Sequence, residues 1–172
     1  MSNTVLRKAL WSILIVALIA GARAWATPPL GFIANTIYAV GFIPGGMAQH
    51  IQLNKDSDGS VTRWGLQLQV LGDTDHQQQR LVLAPGGYSG WHRHPGLLVA
   101  TVKSGRIDLY DENCQRRTVT AGEVYTENDA VHGIINTGSE DAELYISYLV
   151  KRGVPRRQEA PAPACAPETG IP

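Results

Sequence analysis

The stretch Gly90-Trp91-His92-Arg93-His94-Pro95-Gly96 is the most informative segment of this sequence. Residues two apart on a β-strand point to the same face of a sheet, so an extended chain here places the imidazoles of His92 and His94 side by side. Two such imidazoles can bind one metal ion, and a mononuclear site needs at least one more ligand from another strand. The best candidate is His132, in the later stretch Ala130-Val131-His132-Gly133-Ile134-Ile135-Asn136. We therefore predict a divalent-metal site made of His92, His94 and His132.

Short apolar segments separated by glycine-containing turns lie on both sides of this stretch. Val61–Leu71 alternates apolar and polar side chains, and Thr36–Phe42 is predicted to be a strand that closes one sheet. Further strands are predicted at Arg80–Ala84, Leu97–Lys103, Arg106–Tyr110, Thr118–Thr120, Val131–Asn136 and Leu144–Val150. Strands this short and this regular, with no long amphipathic helix, indicate a sandwich or a barrel. The predicted fold class is all-β.

The first 26 residues have the pattern of an export signal. Arg7 and Lys8 precede the apolar run Trp11–Ala20, and small residues before and at Ala26 predict cleavage after that position. A membrane-spanning helix needs about 20 apolar residues, and this run is interrupted at Arg23. The sequence therefore predicts a secreted or periplasmic protein with no stable membrane span after signal cleavage.

Export would place the two cysteines in an oxidising compartment, where an even number of cysteines indicates a disulfide. Cys114 lies in a polar turn and Cys165 in a proline- and alanine-rich tail. A bond between them would attach the tail to the barrel and stabilise the fold by about 2–4 kcal/mol. Free thiols or an intermolecular bond remain the alternatives. We expect the tail to lie along the barrel as far as Cys165 and to be loose beyond it.

The charge balance excludes one class of partner. Lysine plus arginine and aspartate plus glutamate number 15 each, so no net positive charge attracts nucleic acid. The local group Arg152, Arg156 and Arg157 is expected to be part of a solvated tail. A small-molecule ligand or substrate is the expected partner, and the edge strands of a small barrel leave a homodimer open.

These observations divide the chain into four parts. The predicted organisation is a signal peptide over residues 1–26, N-terminal strands that pack on the barrel over 27–60, the barrel itself over 61–154 and the proline- and alanine-rich tail over 155–172.

The spacing around the histidine pair resembles the first motif of the cupin family, Gly-x5-His-x-His-x3/4-Glu-x6-Gly. Gly86, His92, His94 and Gly105 occupy the corresponding positions, and Leu98 stands where the family has glutamate. A second cupin motif, Gly-x5-Pro-x-Gly-x2-His-x3-Asn, is matched in part downstream. Its glycine, histidine and asparagine are present, whereas its proline and internal glycine are absent and the spacing is one residue shorter, the matching residues being Gly122, His132 and Asn136.

This resemblance covers roughly Leu81 to Val150 and implies a single cupin-type double-stranded β-helix (jelly-roll) barrel with the three histidines inside it. Leu98 cannot bind a metal, so the resemblance leaves either a neutral three-histidine site or no metal. Three-histidine cupins include iron-dependent thiol and diketone dioxygenases, which implies a metal-dependent oxidoreductase that uses dioxygen. The metal would be iron, manganese, zinc or nickel, and three neutral imidazoles around a divalent ion would attract anionic ligands.

Other functions are compatible with the same residues. One is a non-catalytic cupin that binds a small ligand without metal, and another is an isomerase or epimerase that acts on a sugar or keto acid. If no metal binds, His132 is expected to be a hydrogen-bonded core residue, or the pair His92 and His94 an exposed surface pair. Polar residues that would supply chemistry, each expected to be a loop or solvated residue instead, are Gln67, Gln69, Tyr88, Tyr125, Glu127 and Asp129.

Overall fold

The structure, a computed structural model, describes residues 26–53, 57–60 and 64–172. The predicted export signal lies outside these residues, apart from Ala26. No helix among the described residues is long and apolar enough to span a membrane. The strands in chain order are β1 (Leu30–Ile43), β2 (Ala48–Leu53), β3 (Trp64–Gln69), β4 (Thr74–Tyr88), β5 (His92–Arg93), β6 (Gly96–Ser104), β7 (Arg106–Asp111), β8 (Arg116–Thr120), β9 (Val124–Glu127), β10 (His132–Ile135), β11 (Ala142–Lys151) and β12 (Gln158–Glu159), followed by a 3-10 helix at Ala166–Glu168.

Ten of these strands form one antiparallel sheet that closes into a barrel. The hydrogen-bonded strands of this sheet follow the order β12, β5, β10, β4, β11, β6 and β9. In addition, β1 pairs with β4, and β7 pairs with both β10 and β8. Alternate side chains of each strand point inward, as the short apolar segments predicted, and they form a continuous core. The all-β prediction is confirmed. The core residues of the central strands include Leu81, Leu83, Leu144, Ile146 and Val150.

The strand predicted at Val61–Leu71 is observed at Trp64–Gln69, but it does not join the barrel sheet. It pairs with β2 in a separate two-stranded sheet. Along Thr74–Leu83, β4 already pairs with β1 on one side and β11 on the other, so β3 finds no free edge there. The alternation in this segment therefore does not mark a buried face, and Gln67 and Gln69 are exposed rather than turned into the barrel.

The C-terminal tail is packed almost to its end, so the expectation that it is loose beyond Cys165 is wrong. The predicted disulfide between Cys114 and Cys165 is present, with the two Cα atoms 6.1 Å apart. Beyond it, Ile171 is fully buried against Trp91, whose Nε1 donates a hydrogen bond to the Ile171 carbonyl at 3.3 Å. Trp91 points away from the histidine face, as the alternation predicted, and its large apolar surface is covered by the tail.

Asn136, the last residue of the second motif, holds the turn between β10 and β11. Its side chain is fully buried, and Nδ2 donates hydrogen bonds to the carbonyls of Leu83 at 2.9 Å and Glu140 at 2.7 Å. Its Oδ1 accepts a hydrogen bond from the Gly138 amide at 2.9 Å. These contacts saturate the amide, so Asn136 stabilises the barrel and has no free group for ligand binding.

Ile171→Ala is expected to lower the free energy of unfolding by about 2–5 kcal/mol, the usual loss when a fully buried aliphatic side chain leaves a cavity. Urea denaturation of the purified protein measures the change. Leu71→Ala is the matched control, because Leu71 is 83% exposed and its truncation removes little packing. Equal effects of the two substitutions would show that the tail does not contribute to the folded core.

Asn136→Ala is expected to lower the free energy of unfolding by about 2–4 kcal/mol, since it removes several buried hydrogen bonds worth roughly 1 kcal/mol each. The exposed Asn113 provides the control substitution Asn113→Ala. Thermal and urea unfolding of both variants checks the prediction, which fails if the two variants are equally stable.

Candidate metal centre

Strand pairing brings the three predicted histidines together. β5 and β10 are antiparallel neighbours, and His132 lies directly opposite His92 in their register. His94 follows two residues after His92, so its side chain points to the same side. The ring centroids are 4.4 Å apart for His92 and His132, 4.9 Å for His92 and His94, and 5.0 Å for His94 and His132. One nitrogen from each ring falls within 4.8 Å of the others, which is a spacing that can hold a metal ion.

The backbone determines which ring nitrogen of each histidine faces this centre. Every Nδ1 lies at hydrogen-bond distance from a main-chain carbonyl, and a carbonyl only accepts, so each Nδ1 must carry the proton. When a ring is neutral, its Nε2 is then a lone-pair donor, which is the tautomer that metal-binding histidines adopt when a second group orients the ring. The three contacts are His92 to Gly90 at 3.0 Å, His94 to Arg156 at 2.6 Å and His132 to Ala130 at 2.9 Å.

The environment of His92 also favours the neutral imidazole. Burial lowers its pKa well below the usual value, and the nearby His132 and Arg157 lower the pKa further. A metal ligand must be unprotonated at the coordinating nitrogen, so this environment prepares His92 to bind a metal rather than a proton.

Glu127 supplies a carboxylate that the sequence comparison with the cupin motif did not place here. Its Oε2 lies 3.0 Å from His132 Nε2 and 3.4 Å from His94 Nε2, and its side chain is 5% exposed. Burial by itself raises the pKa of Glu127, but the adjacent His132 and His94 outweigh that effect and hold the pKa well below its usual range. The carboxylate and the two rings therefore share positive charge, supplied by a proton or by a metal ion, and the expectation of a centre without a carboxylate is wrong.

Two atoms at this centre are buried without a hydrogen-bond partner among the described residues, Glu127 Oε1 and His132 Nε2. When the ring of His132 is neutral, Nδ1 carries its proton and Nε2 presents a lone pair to Oε2 of Glu127 at 3.0 Å. Two facing lone pairs repel unless a cation lies between them, and buried polar atoms left unpaired are costly. Three imidazole nitrogens and one carboxylate oxygen are a donor set that suits a divalent metal.

A small cavity of about 50 Å³ adjoins the histidines inside the barrel. Tyr148 lies on its wall, with its ring 5.2 Å from that of His94, and its hydroxyl donates a hydrogen bond to Gln79 Oε1. The Gln79 amide donates in turn to Asn35 on β1. Burial raises the pKa of Tyr148, so it remains a protonated phenol. Nothing in the alternation of β11 separates this tyrosine from an ordinary core residue, which is why the sequence did not single it out.

The tail also contributes to this cavity. The expectation of solvated arginines is wrong for Arg156 and Arg157, whereas Arg152 is exposed as expected. β12 pairs with β5, which draws the preceding residues across the mouth of the site. Arg156 and Arg157 both line the cavity, and the Arg156 guanidinium lies 5.7 Å from the centroid of the Tyr148 ring. The guanidinium of Arg157 donates to the Ser89 carbonyl at 2.7 Å and pairs with Glu159 at 2.6 Å.

The other candidates from the sequence lie elsewhere. Tyr88 packs in the apolar cluster under the C-terminal tail, and Tyr125 is part of the main core. Asp129 is exposed and forms an ion pair with Arg93 at 3.6 Å. Of Tyr125, Glu127 and Asp129, only Glu127 reaches the histidines.

Comparison with known proteins agrees with this architecture. Residues 79–150 match the family model of the cupin domain. An uncharacterized conserved protein with a double-stranded β-helix domain from Klebsiella pneumoniae subsp. pneumoniae is 24% identical, and the alignment covers 49% of this chain and 74% of that one with a TM-score of 0.44. A cupin 2 conserved barrel domain protein from Salinispora arenicola is 27% identical over 42% of this chain and 61% of that one, with a TM-score of 0.40.

An oxalate oxidase in complex with the substrate analogue glycolate is also similar, at 24% identity and a TM-score of 0.39. The alignment covers 42% of this chain and spans 41% of the length of the oxidase chain. No protein of curated function matches this sequence significantly. The family match and the barrel topology together show that this chain contains a cupin domain, folded as a double-stranded β-helix barrel.

Proposed function

We propose that this protein is an exported cupin that binds one divalent metal through His92, His94 and His132 and acts there on a small molecule as a metal-dependent oxidoreductase that uses dioxygen. The observation that carries the proposal is the convergence of three buried imidazoles whose Nδ1 atoms all face carbonyls. That arrangement leaves three Nε2 lone pairs directed at one point, and a lone-pair cluster in a buried site is costly unless it binds a cation.

A bound metal would supply an open coordination position for a small ligand and, in the case of iron or manganese, redox chemistry. The residues that line the cavity would select and orient the ligand. The cavity holds only a few atoms beside the histidines, which favours a small ligand. Arg156 on its wall favours a ligand that carries negative charge, and the Tyr148 hydroxyl, whose proton is donated to Gln79, is available to accept a hydrogen bond.

The disulfide supports the proposed export. Disulfides persist in oxidising compartments, so the bond between Cys114 and Cys165 is consistent with a secreted or periplasmic protein. The metal is drawn from iron, manganese, zinc and nickel, all of which accept imidazole ligands.

A non-catalytic cupin that binds a small ligand without metal is the second candidate. The small cavity favours it, and so does the hydrogen-bond chain from Tyr148 through Gln79 to Asn35, which satisfies these polar groups without any ligand. In this case the protein would be as stable in chelator as without it.

Metal analysis of the purified mature protein distinguishes the two candidates. After reloading, the wild-type protein is expected to hold close to one metal ion per chain, and His92→Ala, His94→Ala or His132→Ala is expected to hold less than about 0.2, because each substitution removes one ligand. His50→Ala is the control, since His50 is exposed on the β2–β3 hairpin. A metal content below about 0.2 in the wild type would contradict the proposal.

Melting curves and oxygen uptake extend the same experiment. A chelator is expected to lower the melting temperature of the wild type but not of His132→Ala, because only a bound metal stabilises the folded state by mass action. Oxygen uptake by the iron-loaded wild type above that of His132→Ala, measured with a panel of small carboxylic acids, thiols and diketones, checks the oxidoreductase activity.

A homodimer is also part of the proposal. β1 pairs with β4 on one side, and no other strand of the described chain pairs with it. Its exposed apolar side chains include Ile33, Tyr38, Val40 and Phe42. An apolar edge of this kind is suited to association with a second copy.

Sedimentation analysis is expected to show a dimer of the wild type. Val40→Glu is expected to shift it toward the monomer, because Val40 is 67% exposed and the substitution places a charge on the edge. Ser139→Glu, an exposed position in the turn after β10, is the control. A monomeric wild type would contradict this part of the proposal and leave the metal site unaffected.

A further inference from the structure

We propose that Glu127 is the fourth, anionic ligand of the metal, and that it replaces from β9 the glutamate that the cupin motif carries at the position of Leu98 on β6. This inference rests on the proposed metal site. It changes the predicted centre from three neutral imidazoles to three imidazoles and one carboxylate.

The register of β6 and β9 explains how a glutamate on either strand can serve the same site. In the antiparallel pair of β6 and β9, Leu98 lies directly opposite Glu127. Side chains of directly opposed residues point to the same face and have Cβ atoms only about 4.5–5.5 Å apart. A carboxylate on either strand therefore reaches the same region of the barrel interior. Leu98 is itself buried and lines the same cavity, so the apolar side chain fills the space that a glutamate at that position would occupy.

The charge of Glu127 has no other partner to balance it. Among the residues that the structure describes, its ion-pair contacts are with His94 and His132 alone, and no lysine or arginine reaches it. Both imidazoles already use Nδ1–H on carbonyls, so as neutral rings they offer lone pairs rather than protons to the carboxylate. With neutral rings, Oε2 of Glu127 faces two Nε2 lone pairs at 3.0 and 3.4 Å, and these atoms need a positive charge between them. A metal ion shared by Glu127 and the histidines supplies that charge.

The free Oε1 of Glu127 is the second sign of a missing cation. It is buried and has no hydrogen-bond partner within the described part of the chain. A carboxylate whose role was only to orient a histidine would accept an N–H from that ring, but in His94 and His132 the ring N–H is directed to a carbonyl. The geometry thus favours direct coordination over an orienting role.

A carboxylate exchange between the two strands tests the inference. The variants are Glu127→Leu, Glu127→Gln, Leu98→Glu and the double variant Leu98→Glu with Glu127→Leu. Cobalt(II) is the probe, because its visible spectrum reports the coordination sphere and its affinity is measured by titration. Asp129→Asn is the control, since this exposed carboxylate lies two residues from Glu127.

Glu127→Leu and Glu127→Gln are expected to weaken cobalt(II) binding by more than the roughly 10–100-fold that follows loss of an outer-shell partner, and to change the visible spectrum. The double variant is expected to recover the affinity to within about tenfold of wild type, a smaller difference than even an outer-shell loss produces. Asp129→Asn is expected to leave the cobalt(II) affinity and the visible spectrum unchanged.

The folded state of the metal-free protein provides an independent readout. In chelator, Glu127→Leu is expected to melt at the same temperature as wild type or higher, because it removes the buried Oε1, which has no hydrogen-bond partner among the described residues. A carboxylate with a purely structural role would instead make this variant less stable.

The inference is overturned if Glu127→Leu binds cobalt(II) with the wild-type affinity and spectrum, or if the double variant recovers none of the affinity that Glu127→Leu loses. In that result the loss of binding in His92→Ala would still support the three-histidine site. Absence of cobalt(II) binding by the wild type, in contrast, would overturn the proposed function together with this inference.

Discussion

The pairing of β5 with β10 is the contact on which the rest of the site depends. It sets His132 opposite His92 and carries His94 onto the same face, so one backbone register gathers three imidazoles. The carbonyls that flank these residues then orient the rings, because each accepts a proton from Nδ1. The arrangement of the three rings in this barrel is therefore set by the main chain.

The C-terminal tail connects the stability of the barrel to the chemistry of its interior. Ile171 covers Trp91 on the outer side of the strand, while the Arg156 carbonyl orients His94 on the inner side. Between Arg156 and Ile171 in the chain, Cys165 joins the tail to Cys114 through the disulfide. A segment with the composition of a flexible linker is thus ordered because the barrel leaves apolar surface that only this segment can cover.

Local patterns predicted much of the fold and part of the site. Alternating apolar residues and regular turns indicated the all-β barrel, and the His92–His94 spacing indicated a shared face. The role of Glu127 was harder to predict from the sequence, because it lies opposite Leu98 on a neighbouring strand and the two residues are far apart in the chain. The motif directs attention to Leu98 alone, and only strand register shows that its neighbour carries the charge. The tail was misjudged for a related reason, since low intrinsic order does not exclude packing supplied by the rest of the fold.

The sequence by itself predicted the strand-forming segments and the pair His92 and His94, because both follow from side-chain type and short-range spacing. It offered His132 as the best third candidate and the bond between Cys114 and Cys165 as one of several states of the cysteines. Tertiary structure alone decided that Glu127 joins the histidines, that β3 leaves the barrel for a hairpin and that Ile171 is buried. These three features depend on which strand edges are free and which surfaces remain uncovered after the barrel closes. Such properties belong to the assembled sheet, and no local stretch of the chain contains them.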